Sequence, residues 1–148
     1  MRTMKIPGLT IIAVGASLTM NAAFAEQNQV EKSGQRSTLK LEQVLSGHLQ
    51  ELNGKYKVRV TEVTYAPGGF IGLHHHAGPG IRCVTSGQLS YEQPDRTTIY
   101  RQGDCFFESG DVAHTVHNLT KEPAVLLNFE VLPAAWSEGS AIPVPKAP

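Results

Sequence analysis

From Tyr56 onward the chain reads as short alternations of apolar and polar residues, each run ending at glycine or proline. Tyr56, Val58 and Val60 alternate; the phase then slips, so that Val63 and Tyr65 carry the pattern. Such a slip predicts a bulge, or a strand that crosses from one sheet to another. Pro67-Gly68-Gly69 turns the chain before Phe70 to His76. Further turn signals recur at Ala77-Gly78-Pro79-Gly80, Ser86-Gly87, Pro94-Asp95, Gln102-Gly103-Asp104, Ser109-Gly110-Asp111 and Glu122-Pro123. Between them lie Ile81–Thr85, Gln88–Glu92, Thr97–Arg101, Cys105–Glu108, Val112–Asn118 and Ala124–Leu132. In the last of these, Val125, Leu127, Phe129 and Val131 alternate as the buried face of a strand should. Many short β runs separated by Gly/Pro turns predict an all-β sandwich or barrel. The one helical candidate is a turn or two near Leu41 to Leu52, weakened by Gly47 and Gly54.

The two ends of the chain differ from this pattern. Residues 1–25 have the anatomy of a secretory signal peptide: Arg2 and Lys5, an apolar run from Leu9 to Met20, then Ala23-Phe24-Ala25 as a small-x-small cleavage site. The run is too short to cross a bilayer comfortably, so the expected product is soluble, periplasmic or secreted, and begins at Glu26. Glu26 to Ser37 is polar and aperiodic, and residues 26–40 are expected to form a flexible lead-in. After Leu132 come Pro133, Pro143, Pro145 and Pro148, so residues 133–148 are expected to form a Pro/Ala-rich tail, with Trp136 able to dock it. One small domain, residues 41–132, remains between them.

Composition narrows the partners. The chain has 13 basic and 13 acidic residues, and removing Arg2 and Lys5 leaves 11 against 13. Near-neutral charge without a basic run argues against nucleic acid and against an anionic membrane surface. Cys83 and Cys105 are the only cysteines; an exported protein permits a disulfide between them, and two buried thiols are the alternative.

The chemistry concentrates on histidine. His74 and His76 are two apart, so on a strand they share a face while His75 points away. His114 lies in Val112-Ala113-His114-Thr115-Val116 and shares its face with the two valines. Two strands carrying imidazoles onto one inner face make a metal site. Three neutral imidazoles suit one divalent transition metal ion: Fe, Zn, Mn, Ni or Cu.

These segments resemble the two signature motifs of the cupin superfamily. Gly68, His74, His76 and Gly87 fit G-x5-H-x-H-x(3,4)-E-x6-G, and Gly103, His114 and Asn118 fit G-x5-P-x-G-x2-H-x3-N. The resemblance covers Leu41 to Leu132 and implies a jelly-roll β-barrel with a mononuclear metal held by His74, His76 and His114. It also implies a homodimer, for which the exposed edge strands of a small sandwich give a physical reason. Three positions depart from the motifs. Gly80 stands where the family has its metal-binding glutamate, Ser109 where it has proline and Asp111 where it has glycine.

Loss of the carboxylate at position 80 leaves a three-histidine site with room for water or a bidentate ligand. Glu108, six residues before His114 and of the same parity, is the candidate substitute, as fourth ligand, catalytic base or acceptor orienting a histidine. Arg82 follows Gly80 by two and is a candidate catalytic residue that would suit a carboxylate or enolate, unless it is a surface arginine. His75 and His117 have the wrong parity for that cavity, His48 carries no motif, and Asn118 is expected to secure a turn. Phe70, Phe106, Phe107 and Phe129 are candidates either for cavity lining or for plain core. The expectation is an exported metalloenzyme of dioxygenase, isomerase or lyase type acting on a small oxygenated molecule. The alternative is a non-catalytic module that binds a metal or small ligand.

Overall fold

The computed structural model describes residues 29–145; the expected export signal lies outside the described residues. Among them are nine strands and no helix: β1 (Lys32–Val44), β2 (Tyr56–His76), β3 (Gly80–Ser86), β4 (Gln88–Gln93), β5 (Arg96–Arg101), β6 (Cys105–Glu108), β7 (His114–His117), β8 (Ala124–Pro133) and β9 (Ala141–Pro143). All pairings are antiparallel, in the order β5-β4-β7-β2-β8-β3-β6, with β1 and β9 also on β2. The long β2 joins two sheets. Its first half lies between β1 and β8, and its second half pairs with β7 and β9. The result is the expected all-β jelly-roll barrel.

One sheet, β1-β2-β8-β3-β6, can be followed row by row. Leu126 pairs with Val63 on one side and Val84 on the other, and all three are buried in the apolar core with Tyr65, Ile71, Leu89, Tyr91, Val116 and Ala124. One inward step along β8 the row is Thr61–Asn128–Arg82–Phe106. The next is Glu42–Arg59–Glu130–Gly80–Glu108, charged almost throughout. The interior therefore passes from hydrocarbon to ions within four residues of one strand.

Several expectations fail here. The phase slip read between Val60 and Val63 is absent: Lys57, Arg59, Val63 and Tyr65 are all buried, so the odd face of β2 points inward throughout that stretch. The apolar Val58 and Val60 face outward. Burial of Lys57 and Arg59 is possible because Glu42 of β1 meets both, at 2.8 and 2.7 Å. On β8 the buried residues are Ala124, Leu126, Glu130 and Leu132, and not the Val125–Val131 alternation. The segment Leu41 to Leu52 supplies the end of β1 and a turn, not helix.

Within the described residues, both the lead-in and the tail carry a strand, where a flexible lead-in and a Pro/Ala-rich tail were expected. Lys32 onward forms β1, because the first half of β2 needs a partner on its free edge and Gln35, Arg36, Ser37 and Thr38 supply it. Lys40 is the extra residue of a bulge between Leu39 and Leu41, and reaches Glu62 at 3.0 Å. In the tail, Ala141–Pro143 pairs with His74–His76, and Arg59 donates to the carbonyls of Glu138 and Trp136.

Of the two readings open for the cysteines the structure has the disulfide, and Asn118 secures a turn as expected. Cys83 and Cys105 form a disulfide between β3 and the edge strand β6. Asn118 is fully buried and ties its own turn to a second chain segment: its amide donates to the carbonyls of Tyr65, Ala66 and Glu122, and its oxygen accepts from Thr120 N–H.

Candidate metal centre

His74 and His76 face inward because β2 changes phase just before them. Register with β7 shifts between Ile71 and His74, so Leu73 is turned out, about half exposed, and both histidines are turned in. This is the phase change of β2, about ten residues after the expected place. It also fixes a proton. The His74 Nδ1–H donates to the Gly72 carbonyl at 2.8 Å, which leaves Nε2 unprotonated. On the facing strand His114 repeats the device, its Nδ1–H donating to the Val112 carbonyl at 3.0 Å.

The three imidazoles converge. Ring centroids lie 4.3 Å apart for His74 and His114, 4.8 Å for His74 and His76, and 5.3 Å for His76 and His114. One nitrogen from each falls within 4.8 Å of the others. Burial pushes His74 down to about 4, helped by the charge of His114, and pushes His76 down to about 2 against the pull of Glu108. Neutral imidazoles are the form a metal needs.

Glu108 completes the cluster. In the sheet it lies directly opposite Gly80, so a carboxylate missing from one strand is present on its neighbour. Its Oε1 is 3.1 Å from His114 Nε2, and its Oε2 is 3.3 Å from His76 Nε2. Burial works to raise this carboxyl; contact with His114 and the charge of Arg82 outweigh it and hold it at about 2. Arg82, 1 % exposed, lies between two acids: Nε is 2.6 Å from Glu108 and Nη2 donates to Glu130 at 3.0 Å. Gly80 makes this possible, since a Cβ there would collide with the Arg82 guanidinium and with the Phe129 carbonyl.

Whether these residues fit a cation can be judged at one atom. His114 Nε2 is buried with no hydrogen-bond partner, and it faces a carboxylate oxygen. In the neutral ring, with the proton on Nδ1, two acceptors face each other, an arrangement that costs free energy until a second proton on Nε2 or a metal ion satisfies both. The donor set of three imidazoles and a carboxylate fits a divalent transition metal.

A cavity of about 130 Å³ adjoins the cluster, lined by His74, His76, His114 and Glu108, and on its other side by Thr61, Tyr65 and Asn128. The Asn128 Oδ1 is buried without a partner. Burial pushes the Tyr65 hydroxyl, which accepts from Gln35, up to about 12. The tail residues Gly139, Ser140 and Ala141 line the same cavity. Ser140 donates to Glu130 Oε1, and its oxygen is 3.3 Å from His76 Nδ1.

Of the expected residues, His74, His76, His114, Glu108 and Arg82 are brought together. His117 turns away to Glu92, 3.0 Å distant, and packs on Phe70. Of the four phenylalanines only Phe106 lines the cavity; Phe107 is 69 % exposed and Phe129 faces out. Glu130, Asn128, Ser140 and Tyr91, which stacks on His114 at 4.5 Å, were not anticipated. Parity along β8 would have found Asn128 and Glu130 once the inner face was known. No local signal marks Ser140.

Residues 61–130 match the cupin domain family. Among solved structures the chain is similar to a cupin domain protein of Bordetella pertussis Tohama I, with 23% identity, 68% of this chain and 96% of that one covered, and a TM-score of 0.51. It is similar to the polyketide cyclase RemF from Streptomyces resistomycificus at 16% identity, with 76% and 84% covered and a TM-score of 0.54. A conserved protein with a double-stranded β-helix domain from Klebsiella pneumoniae gives 20% identity, 84% and 97% covered, and a TM-score of 0.52. At these identities the likeness shows the fold. No curated protein matches the sequence.

Proposed function

The chain belongs to the cupin superfamily through its cupin domain at residues 61–130, and from that premise we propose that it is a metalloenzyme acting on a small oxygenated molecule. The observation that carries this reading is the buried Nε2 of His114 facing a Glu108 carboxylate oxygen, beside the neutral imidazoles of His74 and His76. His74, His76 and His114 hold the ion, and Glu108 is the fourth ligand, supplied from β6 in place of the family's glutamate. A bound divalent ion would supply Lewis acidity, polarising a carbonyl or hydroxyl oxygen of the substrate.

The surrounding residues have separable tasks. Glu108, held at about 2, is too weak a base to take a proton near neutrality, which favours the ligand role. Arg82 commits Nε to Glu108 and Nη2 to Glu130, which orients the carboxylate, while its Nη1 is buried without a partner and stays open to a substrate oxygen. Asn128 Oδ1 accepts a hydrogen bond from a substrate hydroxyl. The cavity of about 130 Å³ has room beside the cluster for a group about the size of benzene, which binds in an engineered cavity of roughly 150 Å³. Lys32, Arg59 and Arg82 against Glu108 and Glu130 leave its wall with one excess positive charge before any ion binds, which favours an anion such as a short hydroxy- or keto-acid.

The disulfide supports export to an oxidising compartment, periplasmic or secreted. Elemental analysis of protein purified without chelator or nickel resin tests the centre. Close to one equivalent of a first-row metal is expected, and loss of it in His114→Ala. No metal in the wild type, even after incubation with these ions, sinks the reading; failure to turn over any small hydroxy- or keto-acid leaves a binding module.

A further inference from the structure

The tail contributes a side chain to a closed ring of polar groups that no motif marks. His76 Nδ1 lies 3.3 Å from Ser140 Oγ, Ser140 donates to Glu130 Oε1, and Glu130 accepts from Arg82 Nη2 at 3.0 Å. Arg82 Nε meets Glu108 Oε2 at 2.6 Å, and the same oxygen stands 3.3 Å from His76 Nε2. The ring thus returns to the histidine where it began.

Direction follows from donor and acceptor chemistry. Glu130, paired with Arg82, accepts, so the Ser140 hydroxyl spends its single proton on it. The serine oxygen then offers only lone pairs to His76, and Nδ1 must be the protonated nitrogen. His74 and His114 reach the same tautomer through backbone carbonyls, of Gly72 and Val112. His76 has no such carbonyl: its place is taken by a side chain 64 residues later.

We infer that Ser140 is a positioning residue which, as proton acceptor for His76 Nδ1–H, keeps His76 Nε2 free to face the centre. Its backbone shares the task. Ala77 N–H donates to the Ser140 carbonyl at 2.9 Å, and Ala141 pairs with His76, so the hydroxyl is held by strand pairing on the histidine's own strand. Arg59 fixes the preceding turn through the carbonyls of Trp136 and Glu138, at 3.3 and 2.6 Å. The tail is thereby part of the centre. Glu130 Oε1 itself is 3.5 Å from His76 Nδ1 and held by Arg82, a poor replacement when the serine oxygen is removed.

The inference rests on the metal-centre reading for its purpose, but its first test needs no metal. In the metal-free full chain labelled with ¹⁵N-histidine, imidazole correlation spectra at pH 8 identify the protonated nitrogen of each ring. His74, His76 and His114 should all show Nδ1–H in the wild type. Ser140→Ala should move His76 to Nε2–H or a mixture and leave His74 and His114 unchanged, the latter two serving as the control for folding. Ser140→Thr, which keeps the hydroxyl, should restore His76. An unchanged His76 tautomer in Ser140→Ala overturns the proposal.

Zinc titration of the same three proteins separates the two readings. A loss of about 10-fold in affinity for Ser140→Ala, recovered in Ser140→Thr, is the expected size for an outer partner of a ligating histidine. Unchanged affinity overturns the positioning role even if the tautomer moves. If the wild type binds no zinc or other first-row ion, the metal centre falls, and the tautomer result alone decides what Ser140 does.

Discussion

Two faces of one sheet, one residue apart in every strand, have opposite chemistry from the one their positions suggest. The inner row reads Glu42, Arg59, Glu130, Gly80, Glu108; the outer row beside it reads Leu41, Val60, Phe129, Ile81, Phe107. Arg82, Glu108 and Glu130 are 1 %, 6 % and 2 % exposed, whereas Leu41, Ile81 and Phe107 are about half exposed or more. The hydrophobic effect alone would turn this sheet over. Pairing prevents it: each inner ion has an opposite partner within the sheet, and the apolar core lies farther along the same strands. A polar interior is thus built from strands whose apolar residues look outward.

Removing one inner partner should have the largest effect. Arg82→Met keeps much of the volume but leaves Glu108 and Glu130 buried without their shared cation. A loss of about 3–5 kcal/mol is expected, read as a lower urea midpoint at unchanged slope. A change under 1 kcal/mol would mean that water, and not Arg82, solvates the acids.

Acid should act on the same face. In the metal-free protein His74 has its pKa lowered by burial to about 4, from an ordinary 6.5. The unfolded chain therefore binds more protons between these values, and stability rises with pH across them. The contribution is complete above about 6.5 and lost as pH falls to about 4, at most about 3 kcal/mol. Glu108, lowered to about 2, extends the loss below 4.5 in the same direction. Thermal melts from pH 7.5 to 4 should fall steadily, and saturating zinc should steepen the fall, because protons then compete with the ion. A flat profile would show that the imidazoles are hydrated and titrate normally.

Gly80→Ala is a milder intrusion. The new methyl meets the Phe129 carbonyl at 2.5 Å and the Arg82 guanidinium, so backbone or arginine must shift. About 1–3 kcal/mol is expected, with reduced metal affinity because Glu108 loses its support. Ala tolerated without either change would mean that the guanidinium does not rest over Gly80.

The same comparison explains what was legible in the sequence. His74, His76, His114 and Asn118 sit in local motifs whose spacing survives in any register, and Glu108 needed only parity. The strand period was also legible, but the inner face was not, since Val125, Leu127, Phe129 and Val131 make the more hydrophobic half of β8. Choosing the other half requires knowing that Glu130 meets Arg82 across 48 residues, and that Lys57 and Arg59 meet Glu42 across 15 and 17. Lys32 to Leu39 looked loose because an edge strand over a polar interior has few apolar positions of its own. Ser140 acts through a bond to His76 that only the folded tail creates.

The outer row supplies the smallest effect, and for that reason the sharpest control. Phe107 and Glu108 are neighbours on β6, and composition alone would name the phenylalanine as core. At 69 % exposure it has little contact area to lose, whereas Glu108 is held by Arg82 and two histidines. Phe107→Ser should therefore change unfolding free energy by no more than about 0.5 kcal/mol, with zinc affinity unaltered. Glu108→Gln, one residue on, should weaken zinc binding by at least about 10-fold, because an amide is a poor substitute for a charged oxygen ligand. If the order were reversed, with the serine costly and the glutamine harmless, β6 would have to be turned over and Phe107 placed inside the barrel.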